Sequence, residues 1–170
     1  MQELKQIGPQ RYRETFGRYF EDFTVGDVYE HRPGRTITQA DNTWFTLLTM
    51  NTHPLHFDEE YAKASEFGRC VVASPLTLAI LVGMSVTDVS QKAIANLGWK
   101  EIRLPHPVFA GDTLYAESSV TDKRESRSRP EAGLVSVHTV GRNQQGTVVC
   151  EFDRTILVAR RGHAVEDRMP

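Results

Sequence analysis

The residues able to do chemistry crowd into one stretch, Leu48 to Ala62, which reads LTMNTHPLHFDEEYA. His53 and His56 flank Pro54, Asn51 precedes both, and Asp58 follows. One fitting chemistry is metal binding, with two imidazoles in HxxH spacing and an oxygen from Asp58. A tetrahedral site needs further ligands, however, and Pro54 restrains the approach of the two rings. Nothing in the sequence links His106 or His138 to the pair, so no metal is expected. A second chemistry is acid–base catalysis, because an imidazole titrates near neutral pH and exchanges protons with a bound water. His56, on a loop between two helices, is the candidate. Asn51 can orient a water or a carbonyl by hydrogen bonds but cannot transfer a proton. The third reading is an ordinary loop with a structural histidine, and these residues alone leave it open.

A further candidate lies downstream in VVASPLTLAILVG. Ser74 is read as a helix N-cap and Pro75 as the first helical residue, where a missing N–H costs nothing. The free amides of such a helix start, around Ala73 and Ser74, and the positive end of its dipole suit an oxygen gaining negative charge. The Ser74 hydroxyl reads as a cap, not a nucleophile, since no GxSxG is present. Neither GxGxxG nor GxxxxGK[ST] occurs, so no phosphate cradle is expected.

These residues need elements to position them. Thr38 and Asp41 have capping-box spacing ahead of a helix, on which Trp44, Phe45, Leu47 and Leu48 are expected to share one face. Asp58 is expected to cap a brief helix over EEYAKAS. The run from Leu76 to Val82 is apolar on almost every side, which predicts a helix surrounded by other structure. The second half is strand-like: TLYAESSVTDK, LVSVHTVGR and TVVCEFDRTILVARR alternate with turns, NQQG being a hairpin loop. VGDVYEH and LGWKEIRL add shorter strands. Long strands beside one enveloped helix predict an α+β fold, an antiparallel sheet curled around a central helix. Residues 1–22 read as a lead-in packing its aromatic side chains on the body, 23–160 as one domain, and 161–170 as a frayed tail.

Composition bounds the function. With 170 residues, 39% hydrophobic and 25% charged, the chain suits one globular domain. A net charge of −2 argues against nucleic-acid or membrane-surface partners. No apolar run approaches the roughly 20 residues of a membrane helix. The charged start shows no signal-peptide core, so a cytoplasmic location is expected. Cys70 and Cys150 are expected to be buried free thiols.

Three blocks, LTMNTHPLHFDEEYA, FGRCVVASPLTLAILVG and LPHPVFAGDTLYAESSV, resemble in order and spacing those of the MaoC-like, (R)-specific enoyl-CoA hydratase family. That family reads approximately LTGDxNPxHxDxxYA, FGxxVAHGxL and FxxPVxxGDTL, and the likeness runs from Phe23 to Val158. It implies the hotdog fold, a homodimer or dimer of dimers with sites between subunits, and hydration or dehydration of an enoyl-CoA thioester. No separate cofactor is implied, coenzyme A being part of the substrate. The family's catalytic histidine falls on His56 and its catalytic aspartate on Asn51. Its oxyanion-hole glycine falls on Ser74, and His53 replaces an asparagine before proline. A missing carboxylate could be supplied by Asp41 or Asp58 from neighbouring turns, or by the substrate itself. The latter would fit a branched, dicarboxylic acyl-CoA resembling mesaconyl-CoA, with Arg69 a candidate to meet the extra charge. Lys123, Arg124, Arg127 and Arg129 form a basic hairpin tip, read either as CoA phosphate contacts or as a solvated loop. Two other functions remain open: a hotdog thioesterase using Asp41 or Asp58, and a non-catalytic acyl-CoA-binding subunit.

Overall fold

Alternation and one apolar helix set the architecture. The computed structural model describes residues 3–169. Five strands form one antiparallel sheet in the order β3-β5-β6-β7-β4: β3 Val28–Thr36, β4 Ala93–Arg103, β5 Thr113–Glu125, β6 Ala132–Arg142 and β7 Val148–Ala159. From Leu114 to Val120 on β5, along most of β6 and from Phe152 to Ile156 on β7 every second side chain is buried, as period-two strands with one covered face require. Leu114, Ala116, Val120, Val135, Val137, Phe152 and Ile156 supply the apolar part of that inner face.

The central helix, α3, runs Ser74–Met84 and continues through a π-helical turn at Val86–Ser90. It lies on the inner face, burying Leu76, Thr77 and Leu81. Leu81 presses on bare backbone: a Cβ on Gly141 would meet its Cδ1 at 2.3 Å. A helix on a curved antiparallel sheet is the hotdog arrangement that the resemblance implied, in a single domain.

Two sequence expectations change here. The sheet covers only one side of α3, and Ser74, Pro75, Ala79 and Gly83 stay exposed. Uniform apolarity therefore leaves a second face of the helix open within one chain. In α1 (Gln39–Thr49) the inward residues are Asn42 and Thr46, while Trp44, Leu47 and Leu48 are 66%, 69% and 78% exposed. Asn42 meets loop backbone beneath the helix, and of the four apolar residues expected on one face only Phe45 packs against the core.

The lead-in contains a hairpin, β1 (Glu3–Gly8) and β2 (Arg11–Thr15), before a 3₁₀ turn at Phe20–Asp22. Phe20 is buried as expected, but Tyr12 is 60% exposed. The C-terminal segment is tied down rather than frayed: Ala164 is buried, and Tyr19 donates its hydroxyl to Asp167 at 2.6 Å. Residues 1, 2 and 170 lie outside the described residues. Both cysteines are free and buried. Among the described residues no helix is long and apolar enough to cross a membrane.

Candidate active site

Local capping fixes the two short helices that frame the site. The Thr38 side chain accepts from the Asp41 N–H, and Asp41 Oδ2 accepts from the Thr38 N–H at 2.8 Å, closing the expected box. α1 ends at Met50 in the left-handed region, φ 56°. Asn51 Oδ1 then accepts the His53 N–H at 3.1 Å, an Asx-type turn that reverses the chain toward Pro54. Pro54–His56 form one 3₁₀ turn, and Asp58 caps α2 (Glu59–Lys63) through the Tyr61 N–H at 3.0 Å.

The two imidazoles are held in opposite tautomers. His56 Nδ1 lies 2.8 Å from the carbonyl oxygen of Val71. A carbonyl only accepts, so Nδ1 carries the proton and Nε2 of the neutral ring keeps its lone pair. His53 Nδ1 instead accepts the Leu55 N–H at 3.2 Å, which puts its proton on Nε2. The ring centroids are 5.7 Å apart at 52°. His56 is half-buried and His53 exposed. Among the described residues no three His, Cys, Asp or Glu side chains are placed to hold one metal ion.

Asn42, which the sequence reading missed, ties the site together. Its amide donates to the His56 carbonyl at 2.8 Å and the Val71 carbonyl at 3.0 Å, and its oxygen accepts the Ala73 N–H at 2.9 Å. Gln39 also donates to the His56 carbonyl at 2.8 Å. Histidine turn, Val71 segment and central-helix start thus share one buried side chain. Its signal in the sequence is faint: Asn42 and Thr46 are polar at i, i+4 on a helix whose other face is apolar.

That bond corrects two expectations. Ala73, not Ser74, is the N-cap of α3, and no side chain caps the helix. Alanine has no side-chain oxygen to cap with, and Asn42 restrains the cap residue from outside instead. The Ala73 N–H is therefore committed to Asn42 and is withdrawn from the oxyanion pair. Ser74 keeps its main-chain N–H at the exposed first position of the helix, where no intrahelical acceptor exists. The candidate donor to a thioester oxygen reduces to that amide and the helix dipole.

The remaining candidates sort by what already holds them. Asp41 is bound to Thr38 and, at 2.8 Å, to Arg35, and these hydrogen bonds, with the Arg35 charge, hold its carboxyl below the usual carboxylate range. Asp41 and Asp58 both serve as helix caps. Arg69 is exposed and stacks its guanidinium 3.8 Å over the Phe109 ring, beside the Val71–Phe109 bridge at the site's edge. Lys123 is turned inward, donating to the carbonyls of Phe23 at 2.6 Å and Glu21 at 3.3 Å. With Arg124, Arg127 and Arg129 it lies at the far end of β5, a 13-residue strand whose other end joins the site. At about 3.3 Å per residue the strand has a contour length of roughly 40 Å, which sets the basic tip toward the opposite end of the sheet from Thr113. Burial raises the thiol pKa of Cys70, two residues before Val72, which disfavours a reactive thiolate there.

A cleft of about 360 Å³ opens beside Asn51, lined also by Thr43, Thr46, Leu47, Met50 and Phe57. A larger one, about 980 Å³, lies between the N-terminal hairpin and the C-terminal residues and contains no residue of this site. Of the candidate residues only Asn51 lines this apolar cleft, while the free imidazole nitrogen of His56 and the open helix start at Ser74 lie outside its lining; a base and an exposed amide of this kind suit proton transfer on a bound thioester.

Comparison with known proteins agrees. The sequence model of a family described as mesaconyl-CoA hydratase matches residues 9–168. Mesaconyl-CoA hydratase of Cereibacter sphaeroides is 36% identical over 154 residues, 91% of this chain and 45% of that protein. Beta-methylmalyl-CoA dehydratase of Chloroflexus aurantiacus is 37% identical over 145 residues, 85% of this chain and 41% of that protein. The chain thus spans less than half the length of these curated relatives. A solved MaoC-like dehydratase from Rhodospirillum rubrum superposes with a TM-score of 0.75 at 31% identity, covering 85% of this chain and 99% of that one.

Proposed function

The chain belongs to the mesaconyl-CoA hydratase family, and on that premise we propose that it adds water across, or removes it to form, the 2,3-double bond of an enoyl-CoA thioester. Branched, dicarboxylic acyl groups such as mesaconyl are the proposed substrates. One observation supports this most: the Val71 carbonyl holds the Nδ1 proton of His56, so that Nε2 is the basic nitrogen of the neutral ring. In hydration, Nε2 takes a proton from water as the oxygen adds to C3. The thioester oxygen gains enolate charge against the Ser74 N–H and the helix dipole. The imidazolium then returns the proton to C2 on the same face, completing a syn addition. Asn51 orients the water. Its side chain cannot share the proton transfer, so His56 is the single shuttle.

The proposed assembly is a homodimer or dimer of dimers, in which a second copy covers the open face of α3. We place it in the cytoplasm, where CoA esters are available. The absence of an aspartate at position 51 favours one other reading, an acyl-CoA-binding subunit without turnover. Following loss of the enoyl-thioester absorbance with mesaconyl-CoA and crotonyl-CoA separates the two. Turnover by the wild type, reduced about 10²- to 10⁴-fold in His56→Ala, is the expected result. Full activity in the variant removes His56 from the mechanism, and no turnover of either ester favours the binding subunit.

A further inference from the structure

The turn that carries His56 is capped by a side chain that titrates. Pro54 has no N–H, so the first main-chain donor of the Pro54–His56 turn is Leu55, and a residue so near the start of a helical turn has no acceptor within it. His53, the N-cap residue, supplies one: its Nδ1 accepts the Leu55 N–H at 3.2 Å. The usual caps are Ser, Thr, Asp and Asn, whose oxygens accept throughout the neutral range. An imidazole nitrogen accepts only while it is unprotonated. His53 is exposed, so a proton reaches it directly from solvent, whereas His56 is half-buried.

What depends on that cap is the His56 ring. The Leu55 carbonyl accepts the Val71 N–H at 3.2 Å, and the Val71 carbonyl accepts the Nδ1 proton of His56 at 2.8 Å. Capped residue and imidazole are thus joined through one segment. Two titratable side chains lie against His53: His56 on the same turn, its ring centroid 5.7 Å away, and Tyr61 of α2, 6.1 Å away and edge-on. The acids Asp58, Glu59 and Glu60 stand at the start of that helix, where Asp58 is engaged by the Tyr61 N–H. We propose that His53 is a positioning residue for His56 whose own protonation switches the site off. Neutral, it caps the turn and holds the ring for proton transfer. Protonated, it releases the Leu55 N–H and sets a positive charge beside a ring that must itself become imidazolium during turnover. This inference rests on the hydration reading above and adds a second imidazole to the acid side of its pH profile.

The test uses the full chain with whichever of mesaconyl-CoA and crotonyl-CoA it turns over. His53→Ala should lower kcat about tenfold with KM within about threefold, and His53→Asn, whose uncharged Oδ1 can take the same N–H, should restore most of that loss. As pH falls from about 7.5 to about 5.5, kcat of the wild type relative to His53→Asn should fall about tenfold, because only the wild type loses its cap. A ratio that stays flat, or equal kcat in all three proteins at neutral pH, overturns the proposal. A measurement on the wild type covers a variant that does not fold. The ring-nitrogen resonance of His53 Nδ1 should report an unprotonated acceptor at neutral pH and gain its proton over the range in which kcat falls. An Nδ1 already protonated at neutral pH overturns the proposal. Turnover with a flat ratio defeats this inference alone. If neither ester turns over, the hydration reading fails and this inference falls with it.

Discussion

The side-chain amide of Asn42 lies 2.8 Å from the main-chain carbonyl oxygen of His56, which makes a buried asparagine on α1 the fixed point of the histidine turn. The same side chain also engages Val71 and Ala73, so the imidazole's own acceptor and the central-helix start move with it. Asn42→Ala would strand the buried Ala73 N–H, while the His56 and Val71 carbonyls keep Gln39 and the His56 ring as donors. The stranded group costs on the order of 1–3 kcal/mol, so Tm should fall by roughly 5 °C. Below that Tm, kcat should still drop about tenfold or more with KM less affected, because the proton-transfer geometry loosens. Calorimetry and steady-state kinetics check both. A variant that loses stability but keeps kcat would make Asn42 a purely structural residue.

Asn51 offers a second test, because its two roles separate by substitution. Asn51→Asp keeps the acceptor that holds the His53 N–H at 3.1 Å and adds a carboxylate near the acyl group. Turnover of crotonyl-CoA should rise by up to about tenfold, since a second proton-transfer group returns. Turnover of mesaconyl-CoA should fall, since its own carboxylate is repelled. Asn51→Ala loses the turn and should lower both. Parallel changes on the two esters in Asn51→Asp would contradict an oriented, uncharged side chain at this position.

What the sequence discloses follows from how local each interaction is. The Thr38–Asp41 box and the Asp58 cap span three residues, and the alternation of β5 to β7 is visible in any short window. Asn42 was illegible because its partners lie 14, 29 and 31 residues away. The start of α3 was misread by one residue for the same reason: a distant side chain restrains Ala73, where a local rule expects Ser74 to cap. Arg154 of β7, buried on the inner face, left a trace. It shares strand parity with Phe152 and Ile156, both fully buried, so a charge at that position had to point inward. Which side of α3 stays open was beyond reach, since a uniformly apolar helix has no marked face.

The buried belt beside Arg154 sets a pH dependence of stability. His31 is fully buried, with Nδ1 3.0 Å from Asp88 and Nε2 2.8 Å from Ser118. Burial, opposed by the Asp88 hydrogen bond and charge but aided by Arg154 and Arg18, holds its pKa below the ordinary 6.5. The unfolded chain therefore binds the extra proton first as pH falls. The contribution of His31 is complete above about 6.5 and is lost progressively below it. Tm should decline as pH falls below about 6.5, and His31→Gln, which keeps a partner for Ser118, should flatten that decline. Equal slopes in the two proteins would clear His31 of this role.

The open face of α3 makes the last prediction. Pro75, Ala79 and Gly83 recur at four-residue spacing and are exposed, while Leu76, Thr77 and Leu81 hold the helix to its own sheet. Small residues at that spacing let a second helix approach closely, so the dimer proposed above should use this stripe. Ala79→Arg places a charge there without touching the inward side. Light scattering should then show half the wild-type mass at the same concentration, with far-UV dichroism unchanged. Activity should be lost with dimerisation, because in the proposed dimer the partner's surface would close in the acyl group. A variant that stays dimeric would move the interface to another face, and one that is monomeric yet fully active would show that a single chain completes its own site.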